Sequence, residues 1–321
     1  MMNLTVAICV YNAERYIVET LESLMKQTRQ GFELLIVNDC STDGSVAKIR
    51  EFFEQRPRQY ELVEFEENCG IGYARHFAER YAKTRYMMFV DADDILYPEA
   101  IEVMYDKITS DEDLMAVGCY LEYMNSKGKK MRGGIFLGEK TKEGFYEKAE
   151  QGKLIFMQPT AIYDREVALR VGGYVVDGYP EGKPRFADYC EDLDLWTRMS
   201  DLYVEGKAIV VVPQVLCRYR KGGGLSSNSF NMIVKMRYTK TNVCRRRRGE
   251  RDLTFMEYYD SLSVDELQQL KRDAVAADSL RNAVFYLYKW NVVMFVWLIL
   301  KSVWNKPSYI WDKVRCNLRI F

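Results

Sequence analysis

Three acidic groups in this 321-residue sequence have the residue types and spacing to do chemistry. Asp91-Ala92-Asp93-Asp94 follows the apolar run Tyr86 to Val90. Carboxylates gathered where a strand stops suit hard divalent cations such as Mg2+ or Mn2+, which take oxygen ligands and bridge diphosphate oxygens. The competing reading is a helix start at Asp94, ahead of Pro98-Glu99. One cap would account for one aspartate, not three. Asn38-Asp39 ends a second strand-like run and precedes Ser41-Thr42-Asp43-Gly44. Its carboxylate can accept a hydrogen bond from a base N–H or a ribose hydroxyl, or can close an Asx or ST turn. Cys190-Glu191-Asp192-Leu193-Asp194-Leu195-Trp196 opens a helix. Acidic residues in a first turn are favoured by the helix dipole; alternatively, one of them is a general base that takes a proton from an acceptor hydroxyl.

A basic run, Arg218-Tyr219-Arg220-Lys221, stands before glycines. Flexible cations there can close over a diphosphate and stabilise its charge as it leaves; a solvated loop is the alternative. The single histidine, His76, is given no catalytic role.

The elements that must position these groups are legible as alternating strand and helix signals. Leu4 to Val10 reads as a buried strand, Ala13 to Gln27 as a helix, Phe32 to Asn38 as a strand and Ser45 to Glu54 as a helix. Tyr60 to Phe65, a helix through Ala74 to Ala82, and Tyr86 to Val90 continue the series. Repeated βα units of this length imply a mostly parallel sheet covered on both faces. Asp39 and Asp91 then share the edge outside the carboxyl ends of the strands, where open α/β sheets bind ligands. Past residue 110 the pattern changes to a strand at Met115 to Met124, a hairpin turn at Asn125 to Lys129, a break at Gly133-Gly134 and a short strand at Ala208 to Val212. Beyond Gly222-Gly223-Gly224 the chain reads as helical.

Zero formal net charge gives no global field for nucleic acid. The eight cysteines lie at least 27 residues apart, without a CxxC pattern, and free thiols favour a reducing, cytoplasmic compartment. The N-terminus has no charged region followed by an apolar one, so no cleaved signal peptide is expected.

Taken in order, Thr5 to Asn12 with Glu14 (TVAICVYNAE), Glu33 to Ser45 (ELLIVNDCSTDGS), Asn68 to Arg75 (NCGIGYAR), Met88 to Asp94 (MFVDADD) and Glu191-Asp192 resemble the inverting glycosyltransferases of family 2, of bacterial surface-polysaccharide type. The resemblance covers roughly residues 3 to 225 and implies a GT-A fold, here with a C-terminal helical extension. It implies a glycosyltransferase domain over 1–225, with a nucleotide-binding half to about 110 and an acceptor-binding half over 111–225, followed by helices over 226–321. It further implies that Val10 and Tyr11 border the nucleotide with Glu14 alongside, that Asp39 binds the base, and that Arg75 reaches the nucleotide side. Asp93 would lie against ribose and sugar, and Asp94, with Asp91 nearby, would hold Mn2+ or Mg2+ on the diphosphate. Asp192 matches the family's catalytic base, with Glu191 orienting the acceptor. The reaction implied moves a hexosyl or N-acetylhexosaminyl group from a nucleotide sugar, a UDP-sugar foremost, to a saccharide or lipid-linked acceptor. The sequence departs from the family pattern at Tyr219-Arg220-Lys221-Gly222, where relatives often carry a histidine. Either the aspartates and diphosphate suffice for the metal, or Lys221 shares the task.

From Ala283 to Val303 the chain is apolar and aromatic, with Lys289 and Asn291 interrupting it. It falls short of a membrane span. It suits an interfacial helix on the cytoplasmic face of the inner membrane, followed by the basic segment Lys313 to Arg319, or equally a helix packed on the catalytic part or on a second copy in a homodimer. A sugar-phosphate nucleotidyltransferase would need a Gly-rich basic loop after the first strand, and a Rossmann dehydrogenase would need GxGxxG there; Val10-Tyr11-Asn12-Ala13-Glu14 is neither. A catalytically inactive nucleotide-binding scaffold, tethering partners through its C-terminal helices, is the alternative function.

Overall fold

The strand Leu4–Val10 (β1) is buried at every position, as a strand covered on both faces must be. In the computed structural model, which describes residues 2–157, 160–222 and 224–311, it pairs in parallel with Glu33–Asn38 (β2) on one side and Tyr86–Phe89 (β4) on the other. Glu61–Glu64 (β3) adds to β2. The crossovers are helices, Ile17–Met25 (α1), Ser45–Gln55 (α2) and Ile71–Tyr81 (α3). α1 starts later than its periodicity suggests, because residues 13–16 form a turn that ties Ala13 N–H to Ser45 Oγ at 2.8 Å.

Beyond β4 the sheet is mixed. Ile95–Leu96 (β5), the helix Ala100–Thr109 (α4), Leu114–Met124 (β6), Lys130–Ile135 (β7), the helix Lys142–Glu150 (α5) and Ala161–Asp164 (β8) follow in sequence. The strand order is β3-β2-β1-β4-β8-β6, then Ala208–Arg220 (β9), then β5, with β7 on β6. β8 runs antiparallel to both β4 and β6. The last strand, β9, is far longer than the run Ala208 to Val212 indicates: it continues past Pro213 as the parallel partner of β6 and the antiparallel partner of β5. Register shifts around Tyr120 absorb the proline's missing donor. Gly133 and Gly134 lie inside β7 rather than breaking it, and Leu121 carbonyl oxygen stands where a Cβ on Gly134 would go.

Helices Arg165–Arg170 (α6) and Glu191–Met199 (α7) cover the second half of the sheet. α6 is capped by the Asp164 side chain, which accepts from Glu166 and Val167 N–H. Trp196 of α7 is fully buried, edge-on to Tyr163 of β8 at 5.4 Å.

The C-terminal helices are Ser229–Arg246 (α8), Phe255–Asp260 (α9), Val264–Tyr288 (α10) and Val292–Asn305 (α11). Capping boxes at Thr254 and Ser263 start α9 and α10. Their shared core contains Phe186, from the loop ahead of α7, packed on Phe255 at 4.6 Å together with Val234, Tyr238 and Leu270. The apolar stretch Ala283 to Val303 is not one helix: it folds back at Trp290 (φ 58°) and restarts with Asn291 as cap, its side chain accepting from Met294 N–H. The basic segment Lys313 to Arg319 lies outside the described residues.

Two long-range joints set the position of the α7 end. Asp188 Oδ1 accepts from Gly72 N–H at 2.9 Å, and Arg185 donates to Asn68 Oδ1 at 2.6 Å. Gly70 sits under the first of these with φ +94°, and a Cβ there would lie 2.5 Å from the Asp188 carboxylate. Gly70→Ala is therefore expected to destabilise the protein by about 1–3 kcal/mol through the left-handed backbone and the displaced carboxylate. Urea unfolding checks this, and an unchanged midpoint would contradict it.

Candidate active site

The sheet's carboxyl edge is braced before it binds anything. Val10 carbonyl accepts from Asp39 N–H (2.8 Å), Asn12 N–H donates to Ser41 Oγ (3.0 Å), and Thr42 N–H donates to Asn12 Oδ1 (2.8 Å). Glu14 is part of this brace: Gly44 N–H donates to its carboxylate at 3.0 Å, and Lys48 pairs with it. Tyr11 is exposed on the same edge. Four non-glycine residues in the described chain have positive φ, namely Asn12, Cys40, Cys190 and Trp290. The first three follow β1, follow β2 and enter α7, so unfavourable backbone is concentrated where the site residues sit.

Asp39 is buried and its carboxylate is already engaged. Oδ1 accepts from Cys69 N–H (2.6 Å), and Oδ2 accepts from Gly70 N–H (2.9 Å) and from the Asn68 amide (2.7 Å). Burial raises its pKa, and the two amide donors act against that. A carboxylate has about four acceptor positions, so one remains for a ligand. Asn68 in turn accepts from Arg185, which makes Arg185 and Asp188 parts of this wall. Sequence reasoning missed both. The Gly- and Pro-rich loop around them is visible in the sequence, but nothing in it specifies partners more than a hundred residues away.

The acidic cluster divides by access. Thr20 Oγ1 of α1 reaches the Ala92 and Asp94 carbonyls at 3.0 and 2.8 Å, fixing the turn after β4. Asp94, which the family resemblance implies as a metal ligand with Asp91, is 1% exposed, and its Oδ1 accepts from Arg220 N–H at 2.9 Å. Asp91 and Asp93 are the partly exposed members. Burial and the neighbouring carboxylates raise the Asp93 pKa to about 6 and push Asp94 well above the usual carboxylate range.

Arg220 is not in a mobile loop. It ends β9 with its side chain buried, donating to the Asp93 carbonyl (2.8 Å) and pairing with Glu19 (2.7 Å). Lys221 is the more exposed cation, over the Tyr123 ring at 4.2 Å, and burial lowers its pKa.

Arg75 is 3% exposed and spans the site: one terminal nitrogen donates to Asp91 Oδ1 at 2.7 Å and the other to Glu191 Oε1. Its face lies over Phe89 at 5.5 Å. The strand-end cluster and the first turn of α7 thus meet at one guanidinium. Burial raises the pKa of Glu191 and of Asp192, Arg75 counters both, and Asp91 pushes both up again. Among the described residues, the buried Tyr174 hydroxyl and Arg75 Nε have no hydrogen-bond partner. His76 Nδ1 lies 2.6 Å from the Tyr174 carbonyl.

Five carboxyl groups, Asp91, Asp93, Asp94, Glu191 and Asp192, therefore surround two buried guanidiniums, Arg75 and Arg220. A diphosphate would add further negative charge, so this donor set fits an anion accompanied by a hard cation. No three acidic, thiol or imidazole groups converge on one point among the described residues, so such an ion would draw its remaining ligands from the bound substrate or water.

The family pattern described as "Glycosyl transferase family 2" matches residues 5–172, just over half of the chain. The chain is 39% identical over 116 residues to a teichoic acid poly(glycerol phosphate) polymerase of Staphylococcus epidermidis, a stretch that is 36% of this chain and 16% of that protein. Among solved structures, Staphylococcus aureus TarS 1-349 in complex with UDP-GlcNAc is similar with TM-score 0.56 and 19% identity, over 97% of this chain and 92% of that one. Mannosyltransferase PcManGT from Pyrobaculum calidifontis, in complex with GDP-Man and Mn2+, gives TM-score 0.56 and 20% identity over 97% and 88%. At that identity the likeness shows the fold, which is GT-A-like, with a mixed sheet and C-terminal helices.

Because Arg75 is the buried counter-ion for two carboxylates, Arg75→Met is expected to cost about 3–5 kcal/mol of stability. Denaturant melts check it, and a loss under about 1 kcal/mol would place the pair among weak surface contacts.

Proposed function

The chain belongs to glycosyl transferase family 2, and on that footing we propose that it is an inverting glycosyltransferase of bacterial surface-polysaccharide assembly. It moves a hexosyl or N-acetylhexosaminyl group from a nucleotide sugar to a hydroxyl of a saccharide or lipid-linked saccharide. The observation that carries the reading is the Asp91–Arg75–Glu191 bridge, which joins a diphosphate-type edge to a pair of half-buried carboxylates at a helix start. The UDP-GlcNAc and GDP-Man complexes of the two similar folds support a nucleotide-sugar donor, and the name of the Staphylococcus epidermidis relative supports a wall- or surface-polymer setting.

In this reading the base of the donor lies beside Asp39 and Tyr11, and its ribose and sugar face Asp93. Asp91 and Asp93 are the accessible carboxylates for a divalent ion, while Asp94 anchors the end of β9 to the cluster. Mg2+ or Mn2+, when bound, supplies neutralisation of the charge on the departing nucleoside diphosphate. Lys221 adds a second positive charge at the rim. Asp192 takes the proton of the acceptor hydroxyl as that oxygen bonds to the anomeric carbon, and the bond to the diphosphate breaks on the opposite side. One displacement inverts the centre. Glu191, held by Arg75, positions the acceptor, while burial and the nearby Asp91 raise the basicity of Asp192.

Asp192→Asn is expected to lower nucleoside diphosphate release by about 10²–10⁴-fold across a panel of UDP- and GDP-sugars with Mn2+, while the donor still raises the melting temperature. Unchanged turnover would remove Asp192 from the chemistry, and turnover absent in the wild type despite nucleotide binding would favour the inactive scaffold. The pH profile carries a separate test. A base works deprotonated, and the pKa of Asp192 is raised, so the rate falls with acid already above the ordinary aspartate range. Arg75 lowers that pKa, so Arg75→Met must move the acid limb to higher pH; an unshifted limb would mean that Arg75 does not act on the base.

A further inference from the structure

The α10–α11 hairpin carries an apolar surface that nothing in the described chain covers. α11 packs on α10 through Leu298 and Ser302, whose Oγ donates to the Ala276 carbonyl at 2.9 Å, and Lys306 pairs with Asp273 at 3.1 Å. A helix in a water-soluble protein normally has a polar opposite face. Here that face is Val293, Val296, Trp297, Leu300 and Trp304, a helical repeat, with Val293 80% and Trp304 88% exposed. Trp290, Trp297, Trp304 and Trp311 recur every seven residues, and all four are exposed.

Lys289 and Lys301 are the charges on this surface, since Arg281 and Lys306 lie against Asp278 and Asp273 of α10; from Ser279 to Trp311 the chain has no aspartate or glutamate. Lys289 lies over the Phe285 ring at 4.3 Å and Lys301 over the Trp297 ring at 5.2 Å. This pairing, an apolar aromatic body with an ammonium reaching past it, is the composition of a helix lying in a membrane interface.

We propose that α11 and the turn at Trp290 form a docking surface for a bilayer bearing anionic lipid headgroups. The tryptophans enter the boundary between headgroups and acyl chains, and Lys289 and Lys301 meet the phosphates. α11 has 14 residues, against about 20 for a span, and no described helix is long and apolar enough to cross a membrane. A second copy fits less well, since a two-fold contact would bring these lysines toward each other with no acidic residue in either segment to pair them. Arg281 of α10 donates to the Ser227 carbonyl (3.1 Å) and Ser229 Oγ (2.7 Å), so the docked hairpin is fastened to the segment that follows Lys221. Lipid docking does not depend on the sugar-transfer reading, although it would suit a lipid-linked acceptor.

The test uses the full chain with vesicles of phosphatidylcholine alone or of phosphatidylcholine and phosphatidylglycerol in equal parts. Expected are cosedimentation with the mixed vesicles, weakening as salt is raised, and a blue-shifted tryptophan emission. The double variant Trp297→Ser/Trp304→Ser should lower the partition coefficient at least about tenfold while leaving the thermal melt as in the wild type, and Lys289→Glu/Lys301→Glu should abolish the preference for anionic lipid. Three results would overturn the proposal: no cosedimentation with mixed vesicles at low salt, equal partitioning of the folded tryptophan variant, or a stable dimer that the tryptophan variant dissociates while vesicle binding is absent.

Discussion

A single buried guanidinium holds this site together. Arg75 enters from α3, the third crossover helix, and its two terminal nitrogens meet Asp91 at the end of β4 and Glu191 at the start of α7. Charge buried to this degree is costly unless it is paired with good geometry, so the two carboxylates cannot drift apart without stranding it. The parallel part of the sheet and the later, mixed part are thereby fixed relative to each other at the place where a donor and an acceptor would have to meet. The packing beneath serves the same end: Asp194 and Arg198 of α7 pair at 2.8 Å, and Arg198 donates to the Val171 and Gly173 carbonyls, fixing the turn that presents Tyr174.

Around that bridge the molecule tolerates features that cost stability. Positive φ at Asn12, Cys40 and Cys190 and carboxylates whose pKa values are raised by burial and by one another are unfavourable in isolation. They are maintained by a dense set of backbone donors, the amides of Cys69, Gly70 and Gly72 and of Arg220 among them. Such a site favours added positive charge and raises the basicity of its carboxylates, which is what the proposed sugar transfer from a diphosphate would require.

Much of this was legible in the sequence, for physical reasons that differ by region. The first four strands are buried on both faces or lie beside such strands, so they appear as apolar runs, and turn residues mark their ends. The carboxylates at those ends stand out because short motifs such as Asp91-Ala92-Asp93-Asp94 are local. What could not be read was partnership across distance. Asp94 is prominent in sequence yet buried, because its partner is the amide of Arg220, 126 residues later. Arg220 looks like a loop cation, yet β9 extends through it because β6 and β5 supply pairing on both sides. Arg75 gives no hint of Glu191, 116 residues away. The C-terminal apolar stretch announced a helix but not its reversal at Trp290, where no glycine or proline marks the turn.

Stereochemistry at the transferred carbon is the most direct test of a single in-line displacement at this site. Proton NMR can follow the sugar first released when the intact enzyme turns over an α-linked nucleotide sugar with water as acceptor. A single displacement across this site predicts the β-anomer as the initial product, before mutarotation. Initial release of the α-anomer would contradict it, because a retained configuration cannot arise from one in-line attack assisted by Asp192.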